Sequence, residues 1–121
     1  MLDIPIDPTS ATPPYEQVRT RIADLAAGGH LPAGTRLPPV RQLAVDLGLA
    51  ANPVARAYRE LEQAGLVETR GRLGTVVTAR AARVPAEAQQ AAQAYAAHTR
   101  RLGITAETAL DLVRAALHRP G

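Results

Sequence analysis

The stretch "AANPVARAYRELEQAG", Ala50–Gly65, decides how the rest of the chain is read. Val54, Ala57 or Tyr58, and Leu61 recur at helical spacing and make one apolar stripe. A proline stands near the start. The first turn of a helix has backbone N–H groups with no partner inside the helix, so a proline there loses nothing. Asparagine is a favoured cap, and proline disfavours helical geometry in the residue before it. Asn52-Pro53 therefore predicts a helix that starts at Asn52, and Gly65 ends it. With Val54, Tyr58 and Leu61 inward, Ala55, Arg56, Arg59 and Gln63 turn outward or to the flanks. Small Ala50, Ala51 and Ala55 let the helix start approach another surface closely.

Working outward, residues 1–14 hold four prolines and no helical period, which reads as an extended arm. Pro14 can open a helix whose apolar side is Tyr15, Val18, Ile22, Leu25 and Ala26, and Gly28-Gly29 stops it. "HLPAGTRLPP" is turn chemistry, with Thr35-Arg36-Leu37 as a very short strand. Pro39 opens a helix of about two turns that buries Val40, Leu43, Ala44 and Leu47. Gly48 ends it, and residues 49–52 give a tight turn into the opening stretch. Beyond Gly65, "LVETR" and "TVVT" are β-branched and flank "GRLG", the pattern of a β-hairpin.

Helix, short helix, helix, hairpin is the order of a winged helix-turn-helix. The fold class is therefore mostly α with a small β-hairpin (α+β). Residues 79–84 read as a linker. From Pro85 an Ala-rich helix carries Ala88, Ala92, Tyr95, Thr99 and Leu102 on one side, and Gly103 ends it. Thr105 can cap a last helix bearing Ala109, Leu110, Leu112, Val113, Ala116 and Leu117. That apolar arc is too wide for a lone surface helix, and two helices of fewer than ~40 residues cannot make their own core. The simplest outlet is a second copy of the chain, which makes Tyr95, Leu102, Leu110, Val113 and Leu117 the candidate dimerisation residues. The organisation expected is residues 1–78 as a DNA-binding domain with its arm, 79–84 as linker and 85–121 as a two-helix dimerisation segment.

Charge follows this division. The net charge is +3 overall, with the positive excess in the middle third, where residues 36–83 hold eight arginines against four acids. That is where a polyanion footprint is expected. Arginine can donate two hydrogen bonds to O6 and N7 of guanine or grip a phosphate, and a helix N-terminus offers N–H groups to phosphate. Arg56 and Arg59 on the helix, and Arg70 and Arg72 on the hairpin loop, suit the major groove and its flank. A plainer alternative stays open: Arg56 with Glu60, and Arg59 with Gln63, are i, i+4 pairs of the kind a solvated face carries.

Other classes fare worse. With three Tyr and no Phe or Trp there is no aromatic platform for stacking unpaired bases. Cysteine is absent, which removes disulfides, thiolate metal sites and thiol nucleophiles. His30, His98 and His118 are far apart and share no turn with one another, so no helical metal pair exists. "GRLG" lacks the length and the Lys-Ser/Thr of a phosphate-cradling loop. No apolar run approaches the ~20 residues of a membrane span, and the N-terminus lacks a signal peptide's basic and apolar regions. The expectation is a cytoplasmic protein, not an enzyme, with no metal or cofactor and no membrane partner.

The stretch from "PPYEQVRTRIADL" to "LVETRGRLGTVV" closely resembles the DNA-binding domain of the GntR family of bacterial transcription regulators. Pro14, Tyr15 and Gln17 match the start of the family's first helix. Gly29, Leu31, Gly34, Leu37 and Pro38 match the turn, and Arg41, Leu43 and Ala44 the next helix. The resemblance covers about residues 4–78, and the brief C-terminal part looks like the short YtrA-type subfamily. It implies a homodimer on a roughly palindromic operator of double-stranded DNA, with repression as the default. It leaves open a small-molecule effector between dimer segment and DNA-binding domain, or none. By resemblance, Arg41 meets the DNA backbone, and Asn52, Arg56 and Arg59 lie on the recognition helix with Arg56 foremost. Gly71, Arg72 and Gly74 match the wing tip, and Arg36 sits beside the Leu-Pro turn. Pro39 stands where the family often has Ser, and Ala50-Ala51 replace polar residues at the reading end. That departure bears on base specificity more than on DNA binding. The alternatives are a winged helix that meets protein, or an architectural binder indifferent to sequence.

Overall fold

The computed structural model describes Leu2 and residues 4–119. Its first helix, α1 (Pro14–Ala27), has Pro14 in the opening position and ends at Gly28, whose N–H donates to the Asp24 carbonyl at 2.9 Å. Next come α2 (Val40–Leu47) and α3 (Ala51–Gln63). Strands β1 (Val67–Thr69) and β2 (Thr75–Val77) pair antiparallel, Val67 opposite Val77 and Thr69 opposite Thr75. Between them the loop is wound into one 3₁₀ turn, Gly71–Leu73. The Thr35–Leu37 segment lies along β2: Leu37 N–H donates to Thr75 O at 2.8 Å and Val77 N–H to Thr35 O at 2.9 Å.

These elements enclose one core. Val18 and Ile22 of α1, Leu43 of α2, and Val54, Ala57 and Leu61 of α3 are buried against Leu31, Leu37, Val67 and Val77. The three helical stripes therefore face one another, and α2, with only eight residues, is held by this packing. Tyr58 is buried on the same side of α3, and its hydroxyl donates to Pro38 O at 2.6 Å. Burial pushes that phenol above its ordinary range, so it stays a donor and ties α3 to the turn before α2.

Two sequence expectations change here, at Pro39 and at residues 79–84. Pro39 flanks α2 and does not open it. The N-terminal arm is anchored: Leu2 and Ile4 enter the core. The Gln17 side chain clamps the arm, accepting from Asp7 N–H at 2.9 Å and donating to Asp7 O at 2.9 Å and Thr12 O at 2.8 Å. Residues 79–84, read from sequence as a linker, pack onto this unit through buried Ala81, whose N–H donates at 3.2 Å to the Thr78 hydroxyl, itself donating to Gly65 O at 2.8 Å.

The tight turn before α3 depends on Gly48, at φ 68°, with Leu49 N–H donating to Ala44 O at 2.9 Å. Open space surrounds the point where a Cβ would sit, so only the backbone resists a side chain. Gly48→Ala should therefore cost about 1 kcal/mol in stability by urea unfolding, with no rearrangement of neighbours.

The chain divides between Pro85 and Ala86 into two units. The second holds α4 (Ala86–Arg101) and α5 (Ala106–Leu117). Thr105 caps α5 as expected, accepting from Thr108 N–H at 3.2 Å. The Tyr95 hydroxyl donates to Ala109 O at 2.7 Å, and Thr99 and Ala109 are buried. Leu102, Leu110, Leu112 and Leu117 remain more than half exposed. Among the described residues no helix is long and apolar enough to cross a membrane.

Candidate nucleic-acid interface

The outward face of α3 gathers three of the residues singled out from sequence. Asn52, Arg56 and Arg59 line one cleft of about 490 Å³ with Pro14, Tyr15 and Pro53. The cap position lies two residues earlier than the predicted Asn52, and the helix runs from Ala51. Ala50 flanks it, at φ −69° and ψ 162°, and no side chain caps it. Asn52 lies inside the first turn, exposed, and Pro53 falls in the same turn, where its missing N–H breaks no helical bond. The cap expectation fails because extended geometry has moved to Ala50. The consequence is that the Asn52 amide is not spent on the helix's own backbone.

Arg56 and Arg59 differ. The Nε of Arg56 donates to Glu60 Oε2 at 3.1 Å, and its guanidinium carbon sits 3.6 Å from the centre of the Tyr15 ring. Glu60 is also approached by Arg19 of α1, with Nε 3.3 Å from Oε1, and Arg19 in turn pairs with Glu16 at 3.3 Å. The i, i+4 spacing announced the Arg56–Glu60 pair. The Tyr15 and Arg19 contacts depend on how α1 packs on α3, which spacing alone does not give. Among the described residues Arg59 has no ion pair or side-chain hydrogen bond, and the Gln63 pairing allowed by spacing is not made.

The remaining candidates are placed by other elements. Arg41 is exposed on α2, and Arg72 is exposed in the wing's 3₁₀ turn beside Leu73, itself 54 % exposed. Neither lines the α3 cleft. Arg36 pairs with Val76 through the backbone, and its Nε lies 3.9 Å from where a Gly74 side chain would begin. Gly74 adopts φ 72° and ψ −140°, a region essentially reserved for glycine, and so lets the chain turn back into β2. Arg70 is committed elsewhere, paired with Glu68 on the hairpin. Arg36, Arg41 and Arg72 make no ion pair among the described residues. The arrangement is a helix start without a side-chain cap, flanked by the Glu60-paired Arg56 and the unpaired Arg59, with a short cationic wing on the same unit. Such a surface meets phosphate and base edges.

Residues 14–77 match the model of the bacterial regulatory proteins of the gntR family. The chain belongs to the GntR family. It is 49% identical over 105 residues to the HTH-type transcriptional regulator Rv1152 of Mycobacterium tuberculosis, covering 87% of this chain and 86% of that protein. That alignment is longer than the first unit and so extends into the second. The chain is also 45% identical over 76 residues to the HTH-type transcriptional repressor YtrA of Bacillus subtilis, covering 62% of this chain and 58% of YtrA. Among solved structures it resembles YtrA from Sulfolobus acidocaldarius, a GntR-family transcription factor, with a TM-score of 0.59 and 39% identity. That match covers 62% of this chain and 79% of the other. The protein is thus a DNA-binding transcriptional regulator of YtrA-like type, with a winged helix, and not an enzyme.

Proposed function

We propose that the protein acts as a homodimeric repressor in the cytoplasm, reading a roughly palindromic operator with α3 in the major groove and the wing alongside. The observation that carries this reading is the presentation of Asn52, Arg56 and Arg59 in one cleft at the uncapped end of α3. Arg41 and Arg36 would hold the DNA backbone, and Gly71, Arg72 and Gly74 would bring the wing tip to it. In this reading residues 1–78 bind DNA and residues 85–121 dimerise through Leu102, Leu110, Val113 and Leu117, with Tyr95 bracing the helix pair. Repression is supported by the name of the Bacillus subtilis relative.

The test is fluorescence anisotropy with a duplex from upstream of the protein's own gene and a scrambled duplex of equal length, at two salt concentrations. The expected result is tighter binding to the native duplex at both salts, with a salt slope set by the phosphate contacts. Equal binding to both duplexes that collapses with salt would replace the reading with an architectural one. No binding to either would turn it towards a protein partner. An effector would be read in the same assay as a ligand-induced change in operator affinity.

A further inference from the structure

We propose that Glu60 is a positioning residue for base recognition: it and Tyr15 hold Arg56 as a preformed fork aimed at guanine. The inference rests on the operator reading above and deepens it. Glu60 is half-buried between two arginines. One carboxylate oxygen accepts from Arg56 Nε at 3.1 Å, and the other faces Arg19 Nε at 3.3 Å. Glu16 neutralises Arg19 from the far side at 3.3 Å. The four groups carry two charges of each sign, so the Arg56 charge is balanced in the free protein. The ring of Tyr15 covers the guanidinium plane at 3.6 Å.

This geometry fixes which donors remain. Arginine has five N–H donors in a rigid plane. With Nε committed to Glu60, Arg56 keeps Nη1 and Nη2, which make no hydrogen bond among the described residues. Those two form the end-on pair that matches O6 and N7 of a guanine. The side chain is still 53 % exposed, so the fork is held without being hidden. Holding it beforehand lowers the ordering cost of the contact. Arg59, one turn on and without a partner, lacks that restraint and fits a mobile phosphate contact. The positioned fork also answers the loss of polar side chains at Ala50 and Ala51: base reading is concentrated on fewer, better-held groups.

The experiment uses the full-length protein and the tightest duplex selected by the wild type from a randomised pool, with a scrambled duplex as reference. Glu60→Gln should reduce the ratio of selected to scrambled affinity about tenfold, a typical coupling for contacting groups. Affinity for the scrambled duplex should hold or rise, because a negative charge is removed. In an Arg56→Ala background the same substitution should change the ratio no further. Arg59→Ala should weaken both duplexes alike. Tyr15→Leu tests the same support from α1 and should act in the same direction as Glu60→Gln. A Glu60→Gln effect that persists undiminished without Arg56 would overturn the inference, as would an unchanged or increased ratio. A wild type with no preference among duplexes would overturn the operator reading and this inference with it.

Discussion

Leu61→Ala is expected to destabilise the DNA-binding unit by about 2–5 kcal/mol, the usual cost of emptying a packed leucine site. Leu61 is 1 % exposed and stands on the inner stripe of α3 with Val54, Ala57 and Tyr58. The core cluster it belongs to draws on α1, α2 and the hairpin, so filling the space requires one of those elements to move. Marginal stability makes that cost a large fraction of the whole. Urea unfolding followed by far-ultraviolet circular dichroism reads it, with Val45→Ala as control. Val45 is 76 % exposed on α2, and its truncation should stay within about 0.5 kcal/mol. Equal midpoints for the two variants would show that the stripe on α3 does not hold the unit together.

That stripe was also what made the fold legible. Helical spacing around Val54 and Leu61, glycines at 28, 48 and 65, and a β-branched pair of runs around "GRLG" gave the element order and the winged helix directly. Local chemistry is readable when the partners are near in sequence, as with the Thr105 cap and the Arg56–Glu60 pair. What was not readable depends on packing between elements. Arg19 meets Glu60 only because α1 lies against α3. The arm illustrates a missed signal: Leu2, Ile4 and Ile6 alternate, the period of an extended segment with one buried face. Four prolines interrupt that pattern, yet Leu2 and Ile4 are buried and Ile6 packs beside them. Ala81 is too small to declare itself. The cap of α3 lies at Ala50 and not at Asn52 because a proline is tolerated anywhere in the first turn, so Asn52-Pro53 does not fix the register.

The largest effect on function should come from substitutions in the second unit. Leu110→Glu with Leu117→Glu is expected to convert a dimer into a monomer and to weaken binding to a full palindrome by at least about 100-fold, since each half-site then binds without the other's help. Both leucines are exposed on α5, 58 % and 79 %, and Leu102 and Leu112 add to the same unit's uncovered apolar surface. Uncovered apolar surface of this kind marks an interaction site. The unit has little of its own to stand on: among its described residues only Thr99 and Ala109 are buried. Glutamate is a good helix former, so α5 itself should persist. Sedimentation at micromolar concentration should give a dimeric mass for the wild type and a monomeric mass for the double variant. Affinity for a duplex carrying one half-site should be the same for both. The half-site result separates the two ways the variant can lose binding. Unchanged half-site affinity assigns the loss to lost bivalency, whereas a parallel loss on the half-site would place the damage in the first unit. A monomeric wild type that still binds the palindrome tightly would remove the dimer from the proposal and leave α3 and the wing to carry all of the recognition.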